Sequence, residues 1–218
     1  MASDAIAFIK EVTKKFEEIG SIVPSSPYLG KAMVKPIKRA NGPLNILEAG
    51  PGTGPITKEI LKVMSEEDTL VVCEINEPFM HRLQMRLNEN PLFHKHKARI
   101  KFHLGPVQEL RELNPEGHFD VIVSSLPFTN FTKDLVSDIL DVYLYLLNAE
   151  GKLSFVEYVG LRKIGSLIRS KEQRERLKAV EGFIADWQAE LVRTGRIKKG
   201  FTLLNVPPAM TVEVSNWR

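Results

Sequence analysis

The stretch Leu44-Asn45-Ile46-Leu47-Glu48-Ala49-Gly50-Pro51-Gly52-Thr53-Gly54 decides how this chain folds. Leu44, Ile46 and Leu47 predict a short buried strand over 44–47. Three glycines in five residues then make a turn, and residues 56–64 predict a helix. Strand, glycine turn and helix open a parallel α/β sheet and place a nucleotide-binding crevice at the strand's carboxyl end. Without Cβ atoms, Gly50, Gly52 and Gly54 let the backbone approach a ligand closely. Two loops are excluded. A phosphate loop ends in Gly-Lys-Ser/Thr, whereas Gly54 is followed by Pro55 and Ile56. A dinucleotide fingerprint counted from Gly50 reaches Pro55 where its last glycine should stand.

A second predicted strand, 70–73, ends in Glu74, twenty residues after Gly54. An acid there is placed to accept ribose hydroxyls. The run from Glu48 to Gly54 resembles the first motif of the class I methyltransferases, which bind S-adenosylmethionine (SAM). The resemblance implies that Gly50, Gly52 and Gly54 cradle the methionine part and that Glu74 holds the ribose. Glu48, Thr53, Ile75 and Ser124 complete that cofactor-binding set.

The 218 residues are 43% hydrophobic, enough for one substantial domain. No run of eighteen apolar residues offers a membrane span. Lys10, Glu11, Lys14 and Lys15 interrupt any signal-peptide pattern. Cys73 is the single cysteine, so no disulfide forms within the chain, and the expected compartment is the cytoplasm. The net charge of +3 is unevenly spread. Residues 1–40 carry seven basic and four acidic side chains, residues 161–200 eleven and five, and residues 41–160 eleven and seventeen. A basic excess on both sides of an acidic middle suits an anionic surface, lipid or nucleic acid. Solvated helix faces are the plainer alternative.

Residues 3–19 predict an amphipathic helix, with Ala5, Phe8, Ile9, Val12, Phe16 and Ile19 on one face. That face either packs on the domain or lies in a bilayer interface, with Phe8, Lys10 and Lys14 as contacts. The stretch Gly20-Ser21-Ile22-Val23-Pro24-Ser25-Ser26 predicts a loop. Ser26 then caps a helix that starts at Pro27 and runs to about Ile37. After Glu74, a helix over 78–88 buries Phe79, Leu83 and Leu87. A strand over 100–104 leads into a turn where Gln108 is the nearest candidate for an adenine contact. His94, His96 and His103 lack a completing cysteine or paired carboxylate. They read as surface histidines, and no metal is expected.

Strand 119–124 ends in Ser124-Ser125-Leu126-Pro127-Phe128, a rigid apolar loop over the crevice. A helix over 135–147 precedes strand 152–156, which ends in Glu157-Tyr158. Residues 161–193 predict two helices. The first is basic, with Arg162, Lys163 and Arg169; the second carries the apolar stripe Phe183, Ile184, Trp187 and Leu191. Strands 201–206 and 211–214 close the sheet as a hairpin, one edge antiparallel. The expected fold is α/β: a Rossmann-like, seven-stranded sheet with helices on both faces, plus the N-terminal amphipathic helix. Residues 1–40 form a helical lid segment. Residues 41–218 form the domain, with a basic helical insertion at about 161–199.

Five features together resemble the soluble bacterial phospholipid N-methyltransferases, relatives of the ribosomal RNA adenine dimethyltransferases. They are the loop 20–26, the turn 50–54, Glu74, Ser125-Leu126-Pro127-Phe128, and Asn205-Val206-Pro207-Pro208-Ala209. Enzymes that methylate amino groups often carry Asn/Asp-Pro-Pro-Tyr/Phe after the fourth strand; here a hydroxyl stands in for the amide. The resemblance implies in-line transfer of methyl from a sulfonium to a neutral amine on phosphatidylethanolamine or a similar amino lipid. Tyr158, Ser125 and Phe128 are the catalytic candidates, with Leu126 and Tyr28 completing the apolar amine site. Tyr158 either orients the amine or is a half-buried strand-end residue. Ser25 or Ser26 helps cover the cofactor. Tyr28, Phe8, Lys10, Lys14, Arg162, Lys163 and Arg169 meet substrate and membrane. The resemblance further implies peripheral attachment to the anionic inner face of the cell membrane, with no nucleic-acid partner. Two alternatives stay open: an RNA adenine dimethyltransferase, and a non-catalytic lipid- or nucleic-acid-binding protein on the same scaffold.

Overall fold

The computed structural model describes residues 25–38, 42–114, 119–158, 170–205 and 208–215. The expected helix over 3–19, with Phe8, Lys10 and Lys14, lies outside them, as do Arg162, Lys163 and Arg169. In chain order the elements are α1 (Pro27–Met33), α2 (Lys35–Lys38), β1 (Asn45–Ala49), α3 (Pro55–Leu61), β2 (Thr69–Glu74) and α4 (Glu77–Asn88). Then come α5 (Pro91–His96), β3 (Ile100–Leu104), α6 (Leu110–Leu113), β4 (Phe119–Ser124) and α7 (Lys133–Leu146). Last are β5 (Leu147–Tyr158), α8 (Lys171–Arg193), β6 (Ile197–Thr202) and β7 (Ala209–Ser215).

The strands form one sheet in the order β3-β2-β1-β4-β5-β7-β6. The first five run parallel, and β7 is antiparallel to both of its neighbours. The chain winds outward from β1 through β2 to β3, then crosses to β4 on the other side of β1. That reversal is the switch point at which open α/β sheets bind ligands. Successive side chains point to opposite faces, so each apolar strand feeds two cores. Leu47, Ala49, Ile122, Leu153, Phe155, Val212 and Val214 join α7 and α8 on one face. Ile46, Leu70, Val72, Val121, Val123 and Val156 join α1, α3, α4 and α5 on the other.

The expected helix from Pro27 to about Ile37 is broken at Val34. Pro36 explains the break: it has no N–H to give to the carbonyl four residues back, and its ring collides there. In 170–193 the chain forms one continuous helix, started by a Ser170–Gln173 capping box, with Val180, Ile184 and Leu191 buried. Strand β6 begins four residues before the expected start. Lys198 is exposed on this edge strand, and Lys199 reaches across to Gln188 of α8, so the two lysines mask its pattern. The antiparallel strand is also the inner one, β7, and not the edge. His96 is not a surface residue: with Phe93, three residues before it, it faces inward from α5. His103 is largely covered and faces the Glu109 carboxylate at 3.1 Å.

Candidate active site

The glycine turn leaves β1 at the switch point and ends in α3, with Gly54 in the N-cap position. Gly50, Gly52 and Gly54 all have positive φ, at 72°, 55° and 87°, a region that disfavours every residue with a Cβ. At Gly50 a Cβ would also meet Leu126 Cδ2 at 2.6 Å, so this glycine lets the β4 loop close onto the turn. At Gly52 nothing stands within 4 Å of an added Cβ. Gly52 is therefore the member of the cradle that faces open space. Backbone bonds brace the turn: Gly50 N–H donates to the Cys73 carbonyl, and Ser125 N–H to the Ala49 carbonyl, each at 3.0 Å.

Two buried carboxylates sit beside the turn, on the same face of the sheet. Glu74 Oε2 accepts from Gly52 N–H at 3.1 Å, and Oε1 from Asn76 N–H at 2.9 Å. Asn76 in turn caps α4 by accepting from Phe79 N–H. The acid at the end of β2 is thus tied directly to the glycine turn, and burial raises its pKa. Glu48 is fully buried, and neither of its oxygens has a hydrogen-bond partner among the described residues. Burial pushes it up to about 8, with the nearby Glu74 adding to the rise. Thr57 of α3 lies beside it, and its hydroxyl and N–H hold that rise in check. Near neutral pH burial therefore keeps the group largely protonated, and an adjoining positive charge would draw it back to the carboxylate. Its natural complement is a cation delivered by a ligand.

The other side of the crevice is built by β4, β5 and the β6–β7 turn. Ser125 Oγ donates to the Gly50 carbonyl at 2.5 Å, clasping the β4 loop to the glycine turn. Ser124 is fully buried, and its Oγ accepts from Tyr143 of α7 at 2.9 Å. Its side chain is spent inside the core. Phe128 does not line the crevice. It is 4% exposed and packs on Phe155 at 5.8 Å, which packs on Trp187 at 6.0 Å. An aromatic so close to α8 is more stable inside the apolar core than over a wet cleft.

Tyr158 ends β5 half-buried, on the α1 face of the sheet. Glu157 points the opposite way and accepts from Gln188 of α8; burial raises its pKa. Ser26 N–H donates to Asn205 Oδ1 at 2.8 Å, while Ser26 Oγ accepts from Leu29 N–H at 3.2 Å. The serine loop and the Asn205 turn, 179 residues apart in the chain, are thereby pinned together. Ser25 is half-buried beside this bond, and Tyr28 is exposed on the first turn of α1. Gln108 Nε2 donates to Asp138 of α7 at 2.8 Å, and its Oε1 is buried without a partner. Thr53 and Ile75 are half-buried at the two loop ends, and the Thr53 carbonyl accepts from Arg86. Sequence reasoning missed Thr57 and Asn76, whose roles depend on spatial neighbours. Asn205 was visible within its motif, although its partner was not.

Residues 46–151 match the methyltransferase domain family. The chain is 29% identical over 151 residues to an ornithine lipid N-methyltransferase from Singulisphaera acidiphila, covering 68% of this chain and 74% of that protein. Among solved structures it is similar to the O-methyltransferase TomG from Streptomyces achromogenes, in complex with SAM. The TM-score is 0.63 at 16% identity, over 97% of this chain and 89% of that one. It is also similar to an O-methyltransferase from Bacillus cereus in complex with SAH. There the TM-score is 0.62 at 16% identity, over 96% and 90%. The solved structures establish the fold, the family match adds the activity, and the open Gly52 cradle with the unpartnered Glu48 fits a cationic nucleoside. Residues 46–151 are a methyltransferase domain on the class I fold, and S-adenosylmethionine is its cofactor.

Proposed function

We propose that this enzyme methylates the amino head group of a membrane lipid, phosphatidylethanolamine or a similar amino lipid, at the inner face of the cell membrane. One observation carries the reading: the relative from Singulisphaera acidiphila is named for transfer to a nitrogen of an ornithine lipid. When bound, the cofactor supplies a methyl group on a cationic sulfur. Gly50, Gly52, Thr53 and Gly54 hold its methionine part, and Glu48 gives that part a countercharge. Glu74 keeps free lone pairs for ribose hydroxyls. Ile75 and the unpartnered Gln108 Oε1 receive the adenine. Ser25 and Ser26 cover the cofactor from the loop that Asn205 pins.

The acceptor amine must arrive neutral, and moving it from water into an apolar pocket lowers its pKa. Leu126, Tyr158 and Tyr28 form that pocket. Phe128 supports the loop from within the core, and Ser125 fixes the loop against the glycine turn. Transfer then needs alignment more than acid–base help. The Tyr158 ring favours the developing cation, and its hydroxyl orients the amine. In this reading attachment is peripheral; no helix among the described residues is long and apolar enough to cross a membrane. Phe8, Lys10, Lys14, Arg162, Lys163 and Arg169, which lie outside the described residues, are the contacts this reading expects with acidic lipids.

The test is incubation with methyl-labelled cofactor, mixed liposomes and ribosomal RNA in one tube. Label in the lipid fraction is expected. Label in the RNA would instead make the enzyme an adenine dimethyltransferase.

A further inference from the structure

We propose that the β6–β7 rim is a second membrane-facing element: Phe201, Leu203 and Leu204, with Tyr28 of α1, insert into an anionic bilayer and seat the crevice on it. The inference rests on the lipid reading above. Its starting point is exposure. Tyr28 is 56% exposed, Phe201 61%, Leu203 69% and Leu204 62%. The Ser26–Asn205 bond gathers them, because Tyr28 lies two residues beyond Ser26 and Leu204 adjoins Asn205. Other exposed large apolar residues, Met85, Leu104, Leu113 and Val192, are spread over four separate elements. Scattered apolar residues need no explanation, whereas a gathered set marks a docking surface.

Position and charge say what docks there. Strand β6 runs parallel to β5, so its carboxyl end opens on the crevice side of the sheet. Tyr158, Ala209 and Thr202 stand in one row across three strands. Leu203 and Leu204 therefore begin one residue beyond the row that holds the acceptor tyrosine. The two segments that meet at this rim carry no acid: residues 25–38 and 194–212 contain no Asp or Glu. Exposed Lys31 stands one helical turn beyond Tyr28 on α1. Apolar side chains on a rim with a cation and no acid beside them match an acyl boundary beneath anionic head groups. A head group drawn to that interface has only the rim to cross before it reaches Tyr158.

The experiment uses the full chain with Leu204→Cys, labelled with a polarity-sensitive fluorophore; Cys73 is 3% exposed and stays unlabelled. Vesicles of phosphatidylglycerol and phosphatidylcholine should shift the emission to the blue, and phosphatidylcholine alone should not. The double variant Leu203→Ser/Leu204→Ser should lose about tenfold or more in vesicle affinity, with SAM affinity unchanged. Two results overturn the rim. Blue emission before vesicles are added would mean that residues 1–24 or a second copy cover it. Unmoved emission while the protein pellets with the vesicles would mean that another face docks. The lipid reading is tested separately, by methylation of the lipid dispersed in detergent. Label transfer there with no insertion at Leu204 sinks the rim alone; no transfer sinks the function.

Discussion

The two halves of the crevice are made of opposite materials. Around β1 and β2 the polar groups are buried and fixed: Glu74 holds Gly52 and Asn76, Asn76 holds α4, and Glu48 waits without a partner. Around β5, β6 and β7 the groups nearest the opening are aromatic or aliphatic and partly exposed: Tyr158, Tyr28, Leu203 and Leu204. A nucleoside with charges at set distances needs preorganised polar partners. A lipid head group whose tails remain in the bilayer needs a greasy doorway and a place for one amine. The difference teaches that one half specifies the cofactor by hydrogen bonds and charge, and the other admits the acceptor by polarity.

The sharpest way to expose the buried half is pH. Burial raises Glu48 from its ordinary 4.5 to about 8. The folded state therefore binds a proton more tightly than the unfolded state does. Its stabilising effect is complete below about pH 4.5 and is lost as pH rises through about 8. A rise of that size corresponds to at most roughly 5 kcal/mol. Thermal unfolding of the cofactor-free protein should show stability falling from about pH 5 to about pH 8.5. Glu48→Gln should remove most of that fall; the raised Glu74 accounts for the remainder. Saturating SAM should oppose the fall in the parent chain. A level profile in the parent would mean that Glu48 has a partner in solution.

Next in size is the cradle. Gly52→Val places a β-branched side chain at a positive φ, a strain of about 1–2 kcal/mol, and fills the open space before the turn. Calorimetry should show a loss of SAM affinity of about a hundredfold or more, while the protein stays folded. Affinity within threefold of the parent would move the cofactor off this turn. Gly50→Ala sharpens the contrast. Its Cβ would strike Leu126 and push the β4 loop, so the acceptor half would suffer along with the cofactor half.

Much of the fold was legible because it rests on short-range pattern. The run 44–54 announced its strand, turn and helix, and Ile100–Leu104 and Phe119–Ser124 stand where their apolar runs put them. Strand β6 was blurred because an edge strand shows lysines where a central strand shows valines. In the site, Gly50, Gly52, Gly54 and Glu74 were readable because spacing along the chain fixes their meeting. Ser124 and Phe128 depart from the crevice-lining places that their loop suggests. Period-two alternation at the end of β4 turns Ser124 toward Tyr143, and the short helical turn after Pro127 carries Phe128 into the core. The partner of Asn205 comes from a remote part of the chain, so no local pattern encodes it.

The clasp between the lid and the acceptor half gives a smaller effect. Asn205→Ala removes the acceptor for Ser26 N–H, a hydrogen bond of about 1 kcal/mol in net terms. The serine loop should open more often. The rate should drop roughly fivefold to tenfold, with SAM affinity changed less than the rate. Rate and affinity falling together would place the Asn205 turn on the cofactor side and erase the division between the halves.

The finest cut is Tyr158→Phe. Tyr158 is half-buried against the core on the α1 face, so removing the hydroxyl should leave the ring in place. If the hydroxyl orients the amine, lipid methylation should slow by a few fold to about tenfold, with SAM binding unaltered. If the ring face alone matters, the rate should be unchanged in Tyr158→Phe and fall in Tyr158→Leu, which keeps apolar bulk and loses the π face. A Leu variant as active as the parent would remove Tyr158 from the acceptor site. The doorway would then act by exclusion of water alone, with Leu126 and the rim leucines sufficient to keep the amine neutral.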